Sequence, residues 1–67
     1  MIEIIVNGKR KTIPEGLNIK KMIEAIEHKG EGFAVALNGM FVALSTYETT
    51  IVKDNDSIEI LSPVQGG

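Results

Sequence analysis

The sequence predicts an α+β domain of two layers, a single helix packed across one mixed sheet of four to five strands. Three observations lead there. Short apolar runs alternate with period two near both ends of the chain and in its middle. Two Asn-Gly dipeptides, Asn7-Gly8 and Asn38-Gly39, each follow such a run. Asn-Gly favours the tight hairpin turn, which needs positive φ at both central residues. Between the two dipeptides lies one stripe of helical periodicity, and one helix covers one apolar sheet face.

The first strand spans Met1 to Val6, with Ile2, Ile4 and Val6 on one side. A two-residue turn at Asn7-Gly8 then sets Val6 opposite Lys9, Ile4 opposite Lys11 and Ile2 opposite Ile13. That register places Lys9 and Lys11 on the core side. Two lysines are tolerated there only at a sheet edge, with their stems over apolar surface and their ammonium groups in water. Pro14-Glu15-Gly16 breaks the return strand. Asn18 is the expected N-cap of the helix, with Leu17 and Met22 forming a hydrophobic staple. Lys21 holds the position where a capping box would need Glu or Gln. Ile19, Met22, Ile23 and Ile26 fall at i, i+3, i+4 and i+7 and make one apolar stripe on a helix of about three turns. Lys29 suits the last turn, and Gly30 suits the left-handed position beyond it.

Phe33, Val35 and Leu37 alternate with Ala34 and Ala36 in a third strand. The Asn38-Gly39 turn returns it into a short strand over Met40 to Val42. Ser45 to Thr50 is polar, a turn or short helical loop. Lys53-Asp54-Asn55-Asp56 is a further turn after Ile51-Val52, and Ser57 to Ser62 is the last strand, ended by Pro63. The first and last strands are expected side by side at the centre of the sheet. Residues 1–62 then form the domain and residues 63–67 a mobile tail.

Composition excludes several classes of function. The chain has 67 residues and a formal net charge of −2, which suits one domain and gives no electrostatic footprint for nucleic acid. It has no cysteine, which removes disulfides, thiolate metal sites and thiol nucleophiles. His28 stands without a carboxylate or nucleophile placed to work with it and reads as a solvated side chain. Asp54-Asn55-Asp56 begins like a calcium loop but lacks the glycine and the distal glutamate, so no metal is expected. Lys9-Arg10-Lys11 has no interleaved aromatic residues and reads as a solvated strand. No Gly-rich phosphate loop is present, so the chain is not expected to bind ATP itself. No apolar run approaches a membrane span, and the N-terminus lacks the pattern of a signal peptide, so the expected location is the cytoplasm.

The terminal pair Gly66-Gly67 offers a definite chemistry. Without side chains it can thread a narrow channel, with Val64 and Gln65 behind it, and present a carboxylate at the end of a thin arm. A carboxylate is a poor electrophile. Converting it to an acyl-adenylate supplies a leaving group, and a sulfur or nitrogen nucleophile can then take the glycyl carbon.

The order of motifs resembles the ThiS sulfur carrier proteins of thiamine biosynthesis, which are ubiquitin-like β-grasp domains. The resemblance covers the whole chain. It includes the strand ending at Asn7, the break at Pro14-Glu15-Gly16, and Val35-Ala36-Leu37-Asn38-Gly39. It continues through Thr50-Ile51-Val52-Lys53-Asp54-Asn55-Asp56 and Ile58-Glu59-Ile60, and ends at Pro63-Val64-Gln65-Gly66-Gly67. It implies a protein cosubstrate rather than an enzyme. An E1-like partner would use ATP to adenylate Gly67, and a desulfurase system would supply sulfur from cysteine. The resulting thiocarboxylate would pass its sulfur to thiazole synthase. Molybdopterin-synthase small subunits and other ubiquitin-like sulfur carriers share this tail chemistry. A β-grasp binding module with incidental glycines is the alternative of a different class, and it would tolerate deletion of Gly67.

Two departures stand out. Many members carry a proline and an arginine before the aromatic position held here by Tyr47, where this chain has Ala43 and Leu44. A partner that reads that arginine would have to be docked differently. The turn position at Asn55 usually holds glycine, and asparagine also tolerates the left-handed conformation. Strand alternation also suggests a partner surface. With Val35, Leu37, Met40 and Val42 facing the helix, Ala34, Ala36 and Phe41 face outward and share that side with Ile5 and Leu61. These five form an expected docking patch.

Overall fold

The computed structural model describes residues 1–27 and 33–61. Five strands form one mixed sheet: β1 (Ile2–Val6), β2 (Lys9–Ile13), β3 (Ala34–Leu37), β4 (Met40–Phe41) and β5 (Ser57–Leu61), in the spatial order β2-β1-β5-β3-β4. β1 runs parallel to β5 at the centre, and the other three pairings are antiparallel. The first hairpin has the register expected from Asn7-Gly8, with Val6 opposite Lys9, Ile4 opposite Lys11 and Ile2 opposite Ile13. Asn7 and Gly8 both have positive φ, 51° and 83°, as a type I′ turn requires. β2 lies at the sheet edge, which is how Lys9 and Lys11 remain exposed on the core side.

One helix, α1 (Ile19–Ala25), packs on the sheet. Asn18 caps it: its side-chain oxygen accepts a 2.8 Å bond from the Lys21 N–H. The Ile19 N–H donates to the carbonyls of Tyr47 and Thr50, and Val52 N–H donates to the Leu17 carbonyl, so the segment before β5 is stitched to the helix start. The helix is shorter than its apolar stripe predicts. Its seven residues make about two turns, because Glu27 takes the left-handed conformation (φ 59°) directly after the Ile26 cap. Lys29 and Gly30, expected in the last turn and just beyond it, lie outside the described residues.

The core lies between α1 and the sheet. Ile4, Val6, Ile13, Ile19, Met22, Val35, Tyr47, Val52, Ile58 and Ile60 form one buried cluster, with Leu17, Ile23, Ile26, Phe33, Leu37 and Val42 packed on it. No polar side chain is buried among the described residues. Hydrophobic burial and the backbone ladders therefore hold the domain, as a chain without disulfides requires. Tyr47 enters the core from the polar stretch 45–50, just after a 3-10 turn at Leu44–Thr46. Three side chains finish the sheet ends. Asn7 Oδ1 accepts the Ile60 N–H at 2.8 Å, Asn38 Oδ1 accepts the Ser57 N–H at 2.9 Å, and Asp54 Oδ1 accepts the Glu3 N–H at 2.8 Å.

Two expectations change. Met40 shares its face with Leu37, its cross-strand partner, but is 74% exposed. It belongs to the outermost strand, where no further strand covers it. The fourth strand ends at Phe41, although the Val42 N–H still donates to the Val35 carbonyl at 2.9 Å.

Candidate functional site

The sheet face away from α1 carries the expected docking residues, and the register decides which of them meet. Ala34 lies opposite Leu61, and Ala36 lies between Phe41 and Glu59. These two cross-strand rows are adjacent on one face, so Ala34, Ala36, Phe41 and Leu61 come together. Ile5 does not join them. It pairs with Ser57 on one side and Arg10 on the other, and is half-buried. Ser57 and Glu59 separate it from the Leu61 row.

Exposure is uneven within the patch. Phe41 is 72% exposed and Leu61 47%, and Ala34 is exposed. Ala36 is only 5% exposed, which corrects its expected role as outward surface. It stays outside the core cluster and is covered from the sides, because its short side chain lies between the longer ones of Phe41 and Glu59. Sequence alternation missed two exposed apolar neighbours in the chain, Met40 and Leu44, the latter 79% exposed at the start of the 3-10 turn. The patch also lies where β5 ends at Leu61, the last described residue before the Gly-Gly segment.

The Asp54-Asn55-Asp56 segment and Arg10 have structural partners. Asp56 Oδ2 accepts the Lys53 N–H at 2.8 Å, its Oδ1 accepts from the Asn38 side chain at 2.9 Å, and Asn55 sits at φ 71°. The Asp54-Asn55-Asp56 segment therefore shapes a turn, and no cluster of possible metal ligands occurs among the described residues. Arg10 forms an exposed 2.8 Å ion pair with Glu3. A shallow groove of about 520 Å³ lies between α1 and the 3-10 turn, with Ile23, Phe33, Leu44 and Tyr47 in its lining and the Lys20–Glu48 ion pair at its side. No described helix is long and apolar enough to cross a membrane. His28 and the tail residues Val64, Gln65, Gly66 and Gly67 lie outside the described residues.

Comparison with known proteins decides the family. The ThiS family profile matches residues 4–67. The chain belongs to the ThiS family. The fold agrees with this assignment. A crystal structure of a thiamine biosynthesis protein (ThiS) from Geobacter metallireducens superposes with a TM-score of 0.84 at 33% identity, over 98% of this chain and all of that one. A solution structure of a thiamine biosynthesis protein from the same organism gives a TM-score of 0.79 at 33% identity, over 98% of this chain and 88% of that one. An uncharacterized protein of Porphyra purpurea, ycf40, is 26% identical over 66 residues, which is 98% of this chain and 93% of that protein. The mixed sheet with one helix is the β-grasp architecture of the ThiS sulfur carriers. Within that architecture, Ala43 and Leu44 occupy the entry to the 3-10 turn, so an apolar side chain projects where the resemblance expects a basic one.

Proposed function

We propose that this chain carries sulfur for thiamine biosynthesis on the carboxylate of Gly67. One observation carries the reading: the ThiS family match continues through the fold to Gly66 and Gly67. The chemistry has three steps. A carboxylate oxygen of Gly67 attacks the α-phosphorus of ATP held by an E1-like enzyme, and pyrophosphate leaves. A persulfide sulfur, supplied from cysteine by a desulfurase system, then attacks the glycyl carbonyl carbon and AMP leaves, and a thiol cleaves the acyl disulfide so formed, taking the carrier sulfur into a disulfide and leaving the terminal sulfur on Gly67. The resulting thiocarboxylate donates its sulfur to thiazole synthase. The chain acts as a cosubstrate, and ATP is bound by the partner.

The outer-face patch supports docking for this transfer. Phe41 and Leu61, with Ala34 beside them, present apolar area by the end of β5 at Leu61. A partner that covers this face is positioned to receive Val64, Gln65, Gly66 and Gly67 in a channel. Glycines allow that threading because no Cβ limits the backbone angles or the channel width.

The test is intact mass spectrometry of untagged protein incubated with ATP, cysteine and lysate from its own host. The expected result is replacement of one oxygen by sulfur, localised to Gly67, and loss of this conversion when Gly67 is deleted. An unchanged mass, under conditions that convert a known carrier, overturns the reading.

A further inference from the structure

The open edge of the sheet at β2 differs from the edge at β4. Among the described residues no strand pairs with its outer side. The N–H groups of Ile5 and Asn7 donate to the carbonyls of Asp56 and Ile58, and the Glu3 peptide groups bond to Asp54 and Asn55, all on the β5 side. The even-numbered residues of β1 therefore supply the bonds to β2. In an antiparallel ladder bonded and non-bonded pairs alternate. Arg10 and Thr12, opposite Ile5 and Glu3, accordingly direct their N–H and C=O groups out of the sheet.

The side chains of this edge have one sign. Lys9, Arg10 and Lys11 are consecutive and exposed on a chain whose formal net charge is −2. Arg10 is engaged by Glu3, whereas Lys9 and Lys11 form no ion pair among the described residues. The two lysines share one face, so they present positive charge at the spacing of alternate strand residues. The opposite edge, β4, has two residues and no charge.

We infer that the β2 edge accepts an extended acidic segment of a partner protein as a sixth strand. The segment bonds to the outward-directed peptide groups of Arg10 and Thr12, and its alternate carboxylates lie over Lys9 and Lys11. Strand addition of this kind takes its affinity from the main chain and its selectivity from alternate side chains. Charge complementarity selects the occupant. A second copy of this chain is disfavoured, because antiparallel registers centred on Arg10 or Lys11 set arginine against arginine or lysine against lysine. Like charges directly opposite are destabilising. The lysines that keep the edge from pairing with itself are thus the groups that favour an acidic strand. This surface is separate from the Phe41 patch and its use does not depend on sulfur transfer.

The test is a titration of the full chain, followed by amide NMR, with a synthetic peptide that alternates glutamate and valine. A lysine–valine peptide serves as control. The expected result is slowed hydrogen exchange and shifted signals at Arg10 and Thr12, with binding that weakens as salt rises. Lys9→Glu combined with Lys11→Glu should weaken binding by about tenfold, the size that two exposed ion pairs support. Thr12→Pro removes an edge N–H without changing charge and should also weaken binding, since proline is tolerated at a strand edge. Equal binding by Thr12→Pro, or shifts without protection at Arg10 and Thr12, would mean charge attraction without strand pairing and would overturn the inference. So would shifts centred on Phe41 and Leu61, or no response to the peptide.

Discussion

On the helix side of the sheet, Ile4, Val35, Ile58 and Ile60 are buried in one cluster with Ile19 and Met22 of α1. On the opposite side, residues of the same chemical kind, Phe41 and Leu61, stand well exposed. The strands are shared, and β5 alone supplies Ile58 and Ile60 to one face and Leu61 to the other. Composition therefore does not separate the faces; the presence of one helix does. A domain with a single apolar helix stripe can close one side of its sheet, and apolar residues on the other side need a different reason to be there.

The largest expected effect tests the closed face. Ile58→Ala removes a fully buried side chain and should destabilise the domain by about 2–5 kcal/mol, whereas Leu61→Ala on the same strand should cost less than about 1 kcal/mol. Urea unfolding of both variants gives the comparison directly. Similar losses would mean that the outer face is itself a second core and would remove the argument for a docking role.

The next effect concerns how the strands are tied at their ends. Asn7 holds the Ile60 N–H at 2.8 Å and donates to the Ile60 carbonyl at 3.3 Å, beyond the end of β1. Asn7→Ala should cost about 1–3 kcal/mol, the penalty for leaving a partly buried peptide group without its partner. The Asn18 cap should be worth somewhat less, about 1 kcal/mol on replacement by alanine, because its bond to the Lys21 N–H is solvent-exposed. Thermal unfolding should rank them in that order, and a reversed order would place the weaker constraint at the hairpin.

Much of the closed face was legible in the sequence because its signals are local. Asn-Gly turns fix their own dihedrals, and Asn7 and Asn38 adopt φ 51° as that chemistry demands. The register of the first hairpin followed from turn length, and the edge position of β2 followed from lysines that could not be buried. What was missed depends on tertiary distance. Nothing in Glu27 marks it as the left-handed residue that stops α1, so the stripe through Ile26 suggested a longer helix. Met40 shares its face with Leu37 as expected, but stands exposed on the edge strand. Tyr47 sat in a polar stretch, and only the bonds from Ile19 to the 47–50 loop show why it turns inward. For the docking patch, alternation assigned Ala34, Ala36, Phe41, Leu61 and Ile5 to one face but could not say that Ser57 and Glu59 come between Ile5 and the rest. That separation depends on strand order, which is set by the central pairing of β1 with β5.

The smallest effect on stability is expected where the effect on function should be large. Phe41 lies on a two-residue edge strand, is 72% exposed, and belongs to no buried cluster. Phe41→Asp should therefore change folding free energy by no more than about 0.5 kcal/mol. If the outer face docks the activating enzyme and the synthase, the same change puts a charge into an apolar contact and should slow conversion of Gly67 and weaken partner affinity by tenfold or more, since desolvating an unpaired carboxylate costs upwards of about 1.4 kcal/mol. Ile5→Asp sharpens the comparison, because Ile5 lies apart from the Phe41–Leu61 rows. It should leave transfer much nearer the wild-type rate if the partner covers only those rows. Transfer kinetics unchanged by Phe41→Asp would break the assignment of this face. Equal loss from both variants would extend the contact across Glu59 and Ser57 to the β1 side of the sheet.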